Sequence, residues 1–461
     1  MERTLAVGTG ALSELNRSYA FNTYMLNHSV ETGLIPAIHS LTKLQRDVGQ
    51  AIVDGIAGRR GARATVRALT DRVRAGARYN KLVRRLGAQL FGTATFPGET
   101  QLAENDYLRL SYLPLAEGTE DAGACLFHAG GFLPYSDQIF RILPEANLFS
   151  SFLQRGVPVY ALELKGDRTE LGELRDVTLE SYIEMLDEMS DVAFAHQANN
   201  NRKMIIEGYC GLGMPMLCYL AAKPEKADAK FAVATTMVAP VDARQCTMMS
   251  EPLGLTSTHL LGIHGALSQL LAGHIRGQDL RVGMDIPLGA VLYKSAFGRF
   301  VSGWGSPVYA HLSSTDELDP MQRREMAGAY WISPENAKRF PMPVDLVRCF
   351  VRLFREGVDE DLVVPATYKG KSITLKRILD ETGIHLVGFY GGKDRVVPES
   401  TARVLQWGMG DRYTHVVHKR AGHISYVLSP EQWNPRHPHA FEPNPLELLL
   451  SKHRETTGQP S

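Results

Sequence analysis

Residues 203–213 read Lys203-Met204-Ile205-Ile206-Glu207-Gly208-Tyr209-Cys210-Gly211-Leu212-Gly213, and the apolar run Met214 to Ala222 follows. Met204 to Glu207 is a short apolar run of strand type. The glycines at 208, 211 and 213 then mark a tight turn, and the apolar stretch beyond them is long enough for a helix. A strand entering a glycine-flanked turn and leaving as a helix is the setting in which a strained turn exposes a nucleophile. Small flanking residues are needed there because two backbones approach closely. Cys210 stands at the nucleophile position. The start of a helix favours a thiolate, and a nearby histidine favours it further. The competing reading is a buried structural cysteine, the common fate of a free thiol.

Further along the chain, Gly391-Gly392-Lys393-Asp394 follows an apolar run at 384–390, and Ala421-Gly422-His423 follows another at 414–418. If both runs are parallel strands, Asp394 and His423 emerge at the same carboxyl edge as Cys210. The chain order is then nucleophile, acid, base. Taken singly, the aspartate reads as a solvated loop residue and the histidine as a structural one; the order is what joins them into a Cys-His-Asp triad of an α/β-hydrolase fold. Upstream, Leu126-Phe127-His128-Ala129-Gly130-Gly131 ends a further apolar run in a glycine turn. A backbone N–H near Ala129 or Gly130, with the N–H of Gly211, is expected to face a developing oxyanion.

The organisation around these residues is α/β. Strands are expected at 107–115, 124–127, 157–164, 204–207, 231–239, 384–390 and 414–418, with helix-like stretches such as 179–196 between several of them, which argues for a mainly parallel sheet. Four segments follow. Residues 1–97 form a helical, arginine-bearing N-terminal region, and 98–241 the first part of the core with the elbow. Residues 242–343 form a cap insertion, and 344–461 the second part of the core with acid, base and a C-terminal tail.

Composition narrows the partners. Lys plus Arg and Asp plus Glu number 50 each over 461 residues, so no net charge draws the chain to nucleic acid or an anionic surface. Five cysteines without a CxxC pair do not read as a disulfide framework, and a reduced, cytoplasmic chain is expected. No run is long and apolar enough for a transmembrane segment. No cofactor or metal is expected. Gly208-x-x-Gly211-x-Gly213 does not have the dinucleotide spacing, His415 and His418 point to opposite faces of a strand, and His437 and His439 lack a neighbouring ligand cluster.

The elbow Gly208-Tyr209-Cys210-Gly211-Leu212-Gly213 resembles that of the polyhydroxyalkanoate synthases, Gly-Tyr-Cys-x-Gly-Gly. The similarity runs on through Tyr330-Trp331, Phe340-Pro341-Met342-Pro343, residues 364–378, Lys393-Asp394-Arg395-Val396-Val397-Pro398 and Ala421-Gly422-His423-Ile424. It covers about two-thirds of the sequence. It implies an acyltransferase that polymerises hydroxyacyl groups from CoA thioesters, with Cys210 carrying the acyl chain, His423 as base and Asp394 as its partner. It also implies a granule-associated location and a homodimer or partner subunit engaged through the N-terminal helices. Three departures stand out: Leu212 replaces a glycine, His128 to Gly131 looks like an esterase turn, and the Trp-rich end of long synthases is absent. They keep two other readings open, a cysteine-triad thioesterase or esterase and a non-catalytic synthase-like protein that binds a granule or a partner. Cysteine favours transfer, because exchange between a CoA thioester and a protein thioester is nearly balanced, whereas a serine ester is a poorer donor.

Overall fold

The computed structural model describes residues 83–91, 95–133, 136–143, 147–167, 174–197, 202–246, 274–275, 318–331, 336, 339–394 and 396–458, with scattered positions between 46 and 81. The chain divides into two compact units, residues 1–91 with 278–335, and residues 92–277 with 336–461. The elbow, Asp394 and His423 all belong to the second.

That unit is built on an eight-stranded sheet. Its strands are β1 (Thr100–Glu104), β2 (Leu108–Leu113), β3 (Leu126–Ala129), β4 (Val159–Leu164), β5 (Met204–Tyr209), β6 (Phe231–Met237), β11 (His385–Gly391) and β12 (Tyr413–His418). Two further pairs complete the numbering, β7 (His274–Ile275) with β8 (Met342–Pro343), and β9 (Val363–Tyr368) with β10 (Lys371–Thr374). The order in the main sheet is β1-β2-β4-β3-β5-β6-β11-β12. β1 and β2 run antiparallel to their neighbours, and all pairings from β4 through β12 are parallel. This order, with an antiparallel second strand and a tight turn after β5, is that of the α/β-hydrolase fold.

The strand sequences explain their places. Every residue of β4, β5 and β6 is buried, as expected of central parallel strands covered on both faces. β1, Thr-Gln-Leu-Ala-Glu, is mostly exposed and occupies the edge. Its polar sequence hides it from a search for apolar runs; in the β9–β10 hairpin, which turns at Lys369-Gly370, Pro365 interrupts the first strand and the second, Lys-Ser-Ile-Thr, is mostly polar. The remaining seven strands of the main sheet fall where the apolar runs place them, to within a few residues.

Helix α1 (Leu179–His196) covers the sheet beside α2 (Gly213–Ala222) and α3 (Pro224–Lys230). α1 begins in a reciprocal capping box, Thr178 accepting from the Ser181 N–H while Ser181 Oγ accepts from the Thr178 N–H. Its buried residues Leu179, Ile183, Leu186 and Ser190 repeat at three to four positions, one face of a helix. Helix α4 (Val344–Glu356) precedes the β9–β10 hairpin.

In the other unit, the turn Val83–Gly87 packs on the helix Pro320–Trp331 so closely that a methyl group on Gly87 would lie 2.6 Å from Tyr330 Cβ. Phe91 stands edge-on to Tyr330 with ring centroids 5.6 Å apart. Most of the expected N-terminal helices, and most of the expected cap at 242–343, lie outside the described residues, as does the partner-binding role implied for those helices. Among the described residues no helix is long and apolar enough to cross a membrane.

Candidate active site

β5 delivers Cys210 at its carboxyl end. Cys210 has φ 49°, a left-handed conformation that a residue with a Cβ adopts only when its surroundings impose it. The imposition is visible in the packing on either side. A methyl on Gly208 would lie 2.8 Å from Gly213 Cα, and one on Gly213 would lie 2.4 Å from Ala239 Cβ. The close approach therefore falls on Gly208 and Gly213, while Leu212, the departure from the glycine pattern, is 2% exposed and packs into the core. Gly211 stands in the first turn of the short helix Cys210–Leu212 that leads into α2, where N–H groups have no partner within the helix. The ring of Phe350, from α4, lies over Gly211.

β11 and β12 deliver the other two residues. His423 Nε2 is 3.2 Å from Cys210 Sγ, and His423 Nδ1 is 2.8 Å from Asp394 Oδ2. The second carboxylate oxygen of Asp394 accepts the N–H groups of Val396 and Val397 at 2.8 and 2.9 Å, which fixes the carboxylate plane. The two loops are tied to each other through backbone: Gly392 N–H donates to the His418 carbonyl, and Lys393 N–H to that of Ala421. Thus the structure brings Cys210, His423 and Asp394 into one hydrogen-bonded line.

Electrostatics follow from the geometry. Burial works to lower the His423 pKa, but the Cys210 charge and the hydrogen bonds to Asp394 and Cys210 outweigh it and push the imidazole up from 6.5 to about 10. The other four cysteines are pushed the opposite way from reactivity. Burial raises Cys125 to about 12 and Cys349 to about 11, and it raises Cys218 and Cys246 as well. Cys210 is the half-exposed thiol that has a histidine partner.

The turn after β3, where the sequence expectation puts a second oxyanion donor at Ala129 or Gly130, makes the following contacts. Gly130 N–H donates to the His128 carbonyl at 3.0 Å, and Gly131 N–H donates to Asp137 Oδ2 at 2.9 Å. Ala129 is the last residue of β3, in register with Leu162. His128 itself points into the sheet, where its Nδ1 lies 2.5 Å from Glu207 Oε2, both side chains fully buried.

Sequence reasoning missed three residues here. Asp137, 1% exposed, accepts N–H groups from Gly131 and Leu164 and so clamps the ends of β3 and β4. Glu207 carries the only charge in β5, and a carboxylate inside an apolar strand was the available signal. Tyr209 donates its hydroxyl to the His423 carbonyl at 2.6 Å, a partner that no local pattern reveals. Among the described residues no group of His, Cys, Asp and Glu side chains could hold a metal ion.

No protein-family model matches the chain, and no curated protein matches it. Solved structures are similar to it at low identity. The monoacylglycerol lipase of Paleococcus ferrophilus is 12% identical over 75% of this chain and 99% of that one, with a TM-score of 0.41. A soluble variant of the monoglyceride lipase of Saccharomyces cerevisiae, in complex with a substrate analogue, is 10% identical over 80% and 97%, with a TM-score of 0.47. The bromoperoxidase of Bacillus anthracis is 10% identical over 75% and 96%, with a TM-score of 0.39. By its strand order and its elbow, the chain is an α/β-hydrolase-fold protein.

Proposed function

We propose that the protein is an acyltransferase that takes hydroxyacyl groups from CoA thioesters onto Cys210 and passes them to a hydroxyl acceptor. The observation that carries this reading is Cys210 held at φ 49° with its sulfur 3.2 Å from His423 Nε2. In the first half, His423 holds the thiol proton and the sulfur attacks the thioester carbonyl. The oxyanion accepts from Gly211 N–H and, in this reading, from a second N–H at Ala129 or Gly130. Collapse releases CoA, whose sulfur takes the proton from His423. In the second half, His423 removes the proton of an incoming hydroxyl, the new ester forms, and Cys210 leaves as the thiol. Asp394 keeps Nδ1 protonated throughout, so that Nε2 does the work.

Hydrolysis is the second reading, favoured by the half-exposed position of Cys210, which leaves a path for water to the acyl-enzyme. Incubation with a panel of hydroxyacyl-CoA thioesters separates the two. Transfer yields oligomeric ester with CoA released and an acyl group trapped on Cys210, and Cys210→Ala abolishes both. Free hydroxy acid as the sole product, one per CoA, would replace transfer by hydrolysis; acyl groups mapping to another cysteine would remove both.

A further inference from the structure

We propose that Tyr209 is a positioning residue that sets the distance between nucleophile and base by holding the backbone of His423 to the nucleophile strand. The proposal rests on the reading above only in that transfer and hydrolysis both use the Cys210–His423 pair.

Tyr209 is the last residue of β5 and 1% exposed. Its hydroxyl donates to the His423 carbonyl at 2.6 Å, at the short end of the range for such bonds. Its ring stands edge-on to the His423 imidazole, centroids 6.0 Å apart, and edge-on to Phe140 at 5.4 Å. Phe140 in turn packs against His128, which is paired with Glu207 on the same strand as Tyr209. The phenol is thus braced on one side by buried groups and attached on the other to the base loop.

The remaining anchors of that loop do not reach β5. Gly392 N–H to the His418 carbonyl and Lys393 N–H to the Ala421 carbonyl tie it to the acid loop, and Gly422 N–H to Ser425 Oγ closes it on itself. These bonds fix His423 relative to Asp394. Among the described residues, the bond that fixes its backbone relative to Cys210 is the one from Tyr209. Burial, with the neighbouring Cys210 and Asp394 charges, holds the phenol well above its usual pKa, so the donor keeps its proton across the working range. Because the hydroxyl meets a carbonyl and no reacting atom, its effect on chemistry passes through the position of the imidazole.

A ring that merely filled the core would be replaced by phenylalanine without consequence, so Tyr209→Phe discriminates. Two readouts are needed, turnover of an acyl thioester and the pH profile of iodoacetamide alkylation at Cys210, which requires no substrate. The variant should lose about tenfold to a hundredfold in kcat with KM within about twofold, as small misplacements of reacting groups do. Its alkylation profile should move towards that of His423→Ala. A folded Tyr209→Phe with wild-type kcat and a wild-type alkylation profile overturns the proposal. If the variant does not fold, 3-fluorotyrosine at position 209 keeps ring and hydroxyl and strengthens the donor. A displaced alkylation profile then supports the tether, and an unmoved one overturns it. A wild type that turns over no acyl thioester, with a profile that Tyr209→Phe still displaces, removes the functional reading and leaves the tether standing.

Discussion

At His423 two opposing influences act on one ring, and their separation is measurable. Burial disfavours the imidazolium, while the Cys210 charge and the hydrogen bond that its Nδ1–H donates to Asp394 favour it, with a net rise from 6.5 to about 10. In Cys210→Ala the first raising influence disappears, so the His423 titration followed by NMR should fall, and Asp394→Asn should lower it also. A titration that stays near 10 in Cys210→Ala would show that the sulfur and the ring are not coupled. In the proposed transfer, a protonated His423 delivers the proton to the departing CoA sulfur, so acylation should decline as pH rises through about 10. Cys210, Asp394 and His423 were legible in the sequence because each follows an apolar run and a glycine, and chain order did the rest. Tyr209 and Asp137 were not, because they bind backbone groups brought near only by the finished sheet.

Among the elements, the elbow shows why a motif and a packing requirement differ. The glycine pattern is broken at Leu212, yet the contacts that demand a missing side chain are at Gly208 and Gly213. Gly213→Ala would push a methyl into Ala239 and should destabilise the protein by about 1–3 kcal/mol, the usual cost of overpacking a filled core. Leu212→Gly restores the pattern but removes a buried side chain and adds a flexible residue, and it too should destabilise. Urea unfolding of both variants checks this; a Leu212→Gly protein more stable than wild type would mean that position 212 is strained. The strands were legible to the extent that they are apolar. The central ones announce themselves because both faces are covered, whereas β1, Thr-Gln-Leu-Ala-Glu, lies at the edge with its polar ends exposed and carries little signal.

Across the whole molecule, a charged cluster ties α1 to α3 and to the β9–β10 hairpin. Lys223 bonds to both Asp187 and Glu184, Lys230 and Lys226 bond to Asp187, and Tyr368 and Lys369 reach Glu184. Burial works to raise Glu184, but hydrogen bonds from Lys223, Tyr368 and Lys369 bring it down from 4.5 to about 2. Since the folded value is the lower one, this stabilisation is present above 4.5 and is lost as pH falls towards 2. The melting temperature should therefore drop between pH 5 and 3, and drop less in Glu184→Gln; equal drops would exclude Glu184 as a contributor. The spacing of the three site residues along the chain has a consequence for how the molecule comes into being. Asp394 and His423 are 29 residues apart on loops that follow paired neighbouring strands, but Cys210 and His423 are separated by 213. Closing the short loop is entropically easier than closing the long one, so acid and base can meet as soon as β11 and β12 pair. The nucleophile joins them only when β6 bridges β5 to β11. A chain that has not yet closed its sheet thus holds the Cys210 sulfur apart from its histidine partner, and the pair exists only in the finished sheet.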